Sequence, residues 1–176
     1  ENRAAAFRAI VAGLLRDRRY LLFLVGAALI TETNQTVTVF LSQLQYVRSG
    51  MGSAVIGAAY VLVTLAGLLG GFSARLTRRL TARRFGILLY AVAVFACLAL
   101  AGTRLAIMSV GAVMLLRASG SLFQPLLTDI QSARVQTADR ATALSANAVV
   151  IESVAVATNL AFGGAAKQSL PGAMLL

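Results

Sequence analysis

The stretch AVIGAAYVLVTLAGLLGGF, Ala54–Phe72, decides the class of fold. Its 19 residues hold no charged side chain. The hydrocarbon core of a bilayer is about 30 Å thick, so a spanning helix needs roughly 20 mainly apolar residues. This run meets that length, and others like it lie on both sides. Only 12% of the 176 residues are charged, 59% are hydrophobic, and the mean hydropathy is +0.81. A soluble domain carries about a quarter charged residues. The composition therefore predicts an all-α integral membrane protein.

Working outward from Ala54–Phe72, the other spans follow. Towards the N-terminus, a first span runs from Tyr20 to Tyr46, with tyrosines at both ends as in an aromatic belt. Beyond the basic segment SARLTRRLTARR, read as a loop, a third span covers Phe85–Gly102 and a fourth Leu105–Leu127. The polar connector TDIQSARVQTADR leads to a fifth, Ala141–Gly164, and Pro171 opens a sixth that stays incomplete. Proline suits a first helical turn, where its missing N–H would have been unpaired anyway. Residues 1–19 are basic and amphipathic. Phe7, Ile10, Val11, Leu14 and Leu15 share one stripe, as in an interfacial helix. The chain opens at Glu1 with no signal-peptide pattern and closes on PGAMLL, so a piece of a longer polypeptide is expected.

The net charge of +10 reflects topology and does not point to nucleic acid, which is not an expected partner. Alternating sides from the N-terminus puts twelve basic residues on one side and three on the other. Cytoplasmic loops gather Lys and Arg, which places the N-terminus in the cytoplasm of a multi-pass cell-membrane protein. There are no histidines, so the usual neutral-pH proton carrier is missing. The single Cys97 lies in an apolar run and reads as a packing residue. No metal-ligand spacing, nucleophile–base pair or phosphate-binding glycine loop occurs. Neither an enzyme nor a cofactor is expected.

The first span carries an unbroken polar run, TETNQT, Thr31–Thr36. Within spans, Glu32, Arg117 and Glu152 are ionisable, and each costs roughly 2.5–3.5 kcal/mol or more at the bilayer centre. Glu32 is twelve residues past Tyr20, Glu152 twelve past Arg140, and Arg117 twelve past Leu105. At 1.5 Å per residue each is about 18 Å from its entry point, near the midplane. One reading is a structural ion pair between Arg117 and a glutamate. The other is a shared polar site. One Arg cannot neutralise two glutamates. Desolvation favours the neutral form of the spare carboxyl group, which makes Glu32 and Glu152 candidates for proton exchange. Arg117 would pair with charge or bind an anionic substrate group, and Asn34, Gln35 and Asn159 would donate hydrogen bonds to substrate. Ser145, Glu152 and Asn159 repeat every seven residues along one stripe. The third span has nothing comparable, so it is expected to be peripheral, with the polar spans towards a watery cavity. NQT at 34–36 matches a glycosylation sequon but lies at membrane depth.

Two segments carry a family resemblance. GGFSARLTRR resembles the loop after the second helix in each half of the major facilitator superfamily, G-x-x-x-D-R-x-G-R-R. Gly70, Arg75, Arg78 and Arg79 match in register, with Ala74 in place of Asp and Thr77 in place of Gly. RATALS, Arg140–Ser145, is similar to the opening of the eleventh helix of drug-exporter-like members, and Arg117 followed by QPLL is similar to their tenth. The resemblance implies the C-terminal six-helix half of such a transporter. It implies two three-helix inverted repeats, residues 20–102 and 103–176, and a gating role for the Gly70–Arg79 loop. The partners it implies are a small-molecule substrate, protons, the lipid bilayer and an N-terminal six-helix half, in a bacterial inner membrane. The expected activity is proton-coupled export of a small organic molecule. The alternatives are a nutrient or sugar transporter with a structural Arg–Glu pair, and a non-transporting membrane scaffold.

Overall fold

The computed structural model describes residues 11–13, 16–133 and 140–176, with the backbone alone at position 140. The described chain is helical throughout, with short turns and no strand. Four helices are long and apolar enough to cross a membrane: Ser53–Arg79, Ala82–Gly102, Ala106–Ala133 and Ala141–Gln168. The chain is a helical membrane protein. A further long helix, Arg18–Arg48, is not among those four, because the polar run Thr31–Thr36 interrupts its apolar surface.

That first helix is built from three pieces. α1 (Arg18–Gln35) starts at Asp17, whose carboxylate accepts from the Tyr20 N–H at 3.1 Å. A side-chain acceptor there satisfies one of the orphan donors of a helix start. Thr36–Leu41 is π-helical, and α2 (Ser42–Arg48) completes it. Two hydroxyls bond back to the ladder around this stretch. Thr38 Oγ1 donates to Asn34 O at 2.6 Å, and Ser42 Oγ donates to Thr38 O at 2.7 Å. These carbonyls are the ones the α-ladder uses, and such back-bonding loosens a helix. The Ser42 N–H reaches five residues back, to Val37 O.

The second long helix is also composite: α3 (Ser53–Gly67), a 3₁₀ stretch (Leu68–Phe72) and α4 (Ser73–Arg79). The basic segment read as a loop is therefore mostly helix, and the reversal shrinks to Leu80 and Thr81. Ala, Arg and Leu are good helix formers. Ser73 Oγ anchors the extension on Leu122 O at 2.7 Å, and Arg78 and Arg79 sit in the last turn, where cations suit the helix dipole. α5 (Ala82–Gly102) is N-capped by Thr81. α6 (Ala106–Ala133) contains Pro125, and α7 (Arg140–Gln168) follows. α8 (Leu170–Ala173) is one turn, capped by Ser169 with Pro171 in its first turn. Phe7, Ile10, Leu14 and Leu15 of the expected interfacial stripe lie outside the described residues, as does connector segment 134–139.

α7 packs on α1, α1 on α6, and α6 on the Ser53–Arg79 helix, while α5 runs along α6. Lipid tails give helices no hydrophobic reason to associate, so membrane interfaces rely on small residues that allow close approach. Small residues are well represented in the buried set: Ala27, Ala28, Ala59, Ala66, Ala93, Ala96, Ala112, Ser109 and Ser119 are all inside. Large apolar side chains lie on both sides: Leu24, Phe85, Leu100 and Leu116 are buried beside the small residues, whereas Ile107 is 88% and Leu160 73% exposed.

Two close approaches fix α6. A Cβ on Gly70 would stand 2.8 Å from Ser121 O, and one on Gly120 would stand 2.5 Å from Asn34 Cγ. Between them they set the rotation of α6 against its two neighbours, and hence where Arg117 points.

Candidate binding groove at membrane depth

The polar run of α1 divides between opposite faces. Asn34 turns inward and is 5% exposed. Its amide donates to Leu116 O and lies 3.5 Å from Ser119 Oγ. It rests over Gly120, where any side chain would collide with it. Asn34 is therefore a buried helix–helix contact and does not line the groove. Two residues along a helix is about 200° of rotation, so Glu32 faces the other way.

Glu32 meets α7. Asn159 Nδ2 donates to Glu32 Oε2 at 3.3 Å, and Thr36 Oγ1 donates to Asn159 Oδ1 at 2.7 Å. Both ends of the Asn159 amide are engaged by one face of α1, since positions 32 and 36 are one turn apart. Thr36 has no assigned role in the sequence reading. Its i,i+4 spacing from Glu32 was the available signal.

These residues border an open groove of about 520 Å³, lined by Glu32, Gln35, Glu152, Ala155, Val156, Asn159 and Leu160. Two carboxylates and two amides share it with three apolar side chains, and no basic residue lines it. Glu32 is half-buried, while Glu152, Gln35 and Asn159 are exposed. Positions 152, 155, 156 and 159 are spaced by three and four, so α7 presents them as one stripe. Such a surface can hold a proton, hydrogen-bond a polar solute, or attract a cation.

Arg117 takes no part in the groove. It is exposed on α6 and lies across Gly67, where a Cβ would stand 3.3 Å from its Nε and 3.8 Å from its Nη2. Among the described residues it forms no ion pair with Glu32 or Glu152. Ser145, at the far end of the α7 stripe, bonds its own helix at Ala141 O. Gly70 sits inside the second long helix against α6, and Arg75, Arg78 and Arg79 are exposed on α4.

Two further polar contacts tie α1 and α2 to the bundle. Asn147 of α7, 2% exposed, donates to Tyr20 Oη at 2.8 Å. Gln45, fully buried, donates to Thr103 O at 2.9 Å and Ser109 Oγ at 3.1 Å. Interhelical bonds of this kind contribute about 0.6 kcal/mol on average within membranes. Among the described residues no group of three His, Cys, Asp or Glu side chains could hold a metal ion.

Comparison with protein-family models, curated proteins and solved structures found no match to this chain.

Proposed function

We propose that this protein is a secondary active transporter of a small organic molecule, driven by proton exchange at Glu32 and Glu152. The observation that carries this reading is the groove shared by the two glutamates, Gln35 and Asn159, with no basic residue in its lining. Ionisable residues within spanning segments are costly and mark ion or substrate pathways. Two carboxyl groups in one groove with no basic residue in its lining take up either a proton or a positively charged solute, and one event disfavours the other. That competition is the elementary step of proton-coupled exchange.

In the full reading, the chain is the C-terminal half of a major-facilitator-type exporter with inverted three-helix repeats and a cytoplasmic N-terminus. Its six-helix bundle rocks against a second bundle, exposing the groove to alternate sides. Gln35 and Asn159 orient the solute. Arg117 and Asn34 act elsewhere, at the helix contacts around α6.

The test is movement of ethidium, an organic cation, in proteoliposomes carrying an imposed pH gradient. Gradient-dependent flux is expected, lost in Glu32→Gln and in Glu152→Gln. Absence of flux with the unaltered protein, or coupling that survives in both variants, would overturn the reading.

A further inference from the structure

We infer that a second cleft, at the arginine-rich end of the bundle, binds an anionic phospholipid. Its phosphate would rest on Arg19 and Arg83, with one acyl chain lying along α1. The cleft has a volume of about 520 Å³ and is formed by the starts of α1 and α5 and the last third of α6. It is separate from the glutamate groove, and the transport proposal does not use it.

Three observations define the occupant. The first is charge. Arg19 and Arg83 border the cleft and are both exposed, and among the described residues no acidic side chain pairs with either. A guanidinium offers parallel N–H donors that match phosphate oxygens. The second is the lining beyond them, which is apolar down to Ile30 and includes Phe123 and Leu126. A soluble phosphate compound has no use for such a surface, whereas an acyl chain does.

The third is depth. From Arg19 to Ile30 the cleft follows α1 for eleven residues, about 16 Å. Half of a bilayer core of about 30 Å is about 15 Å. The cleft therefore runs from the headgroup level to the midplane, the length of one leaflet's chain. Gly26 and Gly86 keep it open. A Cβ on Gly26 would meet nothing within 4 Å, and one on Gly86 would only touch Leu126 Cδ2 at 4.0 Å. These two glycines leave space rather than permit a helix contact. Basic pockets between spanning helices are suited to anionic headgroups.

The purified protein, in detergent, is titrated with phosphatidylglycerol and with phosphatidylcholine, and bound lipid is counted by native mass spectrometry. Phosphatidylglycerol is expected to bind at least tenfold more tightly. The R19Q/R83Q double variant should bring it down to the phosphatidylcholine level. Gly86→Leu should fill the cleft and remove both lipids, with helicity unchanged. If that variant does not fold, Gly26→Leu gives the same reading from a position with open space around it. Glycerol phosphate at millimolar concentration should not displace the lipid. Equal binding of the two lipids, or full phosphatidylglycerol binding by R19Q/R83Q, would overturn the assignment. Displacement by glycerol phosphate would also overturn it, in favour of a soluble anion.

Discussion

Gly70 lies against the backbone carbonyl of Ser121, and Pro125 explains why that carbonyl is free to receive it. In an α-helix the carbonyl of residue 121 pairs with the N–H of residue 125, and proline has none. The glycine hydrogen that replaces a side chain points at this oxygen, in the manner of the Cα–H···O contacts that recur between packed helices. The neighbouring carbonyl, Leu122 O, accepts from Ser73 Oγ at 2.7 Å. The 3₁₀ stretch Leu68–Phe72 thus docks on the part of α6 that proline leaves under-bonded.

Gly70→Ala should therefore destabilise the protein, although alanine is the better helix former. Its Cβ would stand 2.8 Å from Ser121 O, with backbone on both sides. Overpacking of this kind costs typically 1–3 kcal/mol. Gly71→Ala is the control, because nothing lies within 4 Å of its Cβ. Thermal unfolding in detergent, followed by circular dichroism, should show a lower midpoint for the first variant and an unchanged or higher one for the second.

Asn34 and Gly120 form a second close approach, and it can be tested as a pair. Gly120→Ala alone should cost about 1–3 kcal/mol, since its Cβ would fall 2.5–2.6 Å from three atoms of the Asn34 side chain. Shortening Asn34 to alanine removes the obstacle. In a double-mutant cycle, N34A/G120A should regain at least half of what Gly120→Ala loses, a coupling beyond the additive expectation for independent sites. Additive losses would mean that the two residues do not meet.

Membrane class and approximate helix limits were legible because they depend only on run length and composition, as in Ala54–Phe72 and Phe85–Gly102. The split of the polar run was legible in principle. Glu32 and Asn34 are two residues apart and cannot share a helix face, whereas Glu32, Gln35 and Thr36 can. By that rotation Asn34 turns to Leu116 O when Glu32 faces the groove. The direction of Arg117 was not legible. Depth follows from counting residues, but rotation of α6 is set by Gly67, Gly70 and Gly120 against partner helices, which no local pattern encodes. The π-helical turn at Thr36–Leu41 was equally hidden, since the i−4 hydroxyl bonds made there by Thr38 and Ser42 recur at Ser145, Ser153 and Thr158 within ordinary α-helix. SARLTRRLTARR is charged and still mostly helical, because a helix can continue past the membrane surface.

Thr36 and Glu32 together hold the Asn159 amide, oxygen towards the hydroxyl and nitrogen towards the carboxylate. Thr36→Val keeps the shape and removes the donor. An intramolecular hydrogen bond is worth about 0.5–1.5 kcal/mol net. The variant should lose no more than that in unfolding stability. In the ethidium assay the half-saturating concentration should rise several-fold, because the amide is then held by Glu32 alone and its oxygen loses its partner. An unchanged half-saturating concentration would mean that Asn159 does not orient the solute.

The groove itself makes a prediction that needs no substrate. If it is water-filled in the membrane, residues lining it react with a membrane-impermeant thiol reagent, and residues turned into the bundle do not. In a Cys97→Ala background, Glu152→Cys and Gln35→Cys should label readily, since both positions border the groove and are exposed. Asn34→Cys, one residue before Gln35 and 5% exposed at present, should label at least tenfold more slowly. Leu160→Cys, which also lines the groove and is 73% exposed, should label as well. Equal protection at positions 35, 152 and 34 would mean a dry interface in place of an aqueous path, and the carboxylates would then have no route for protons.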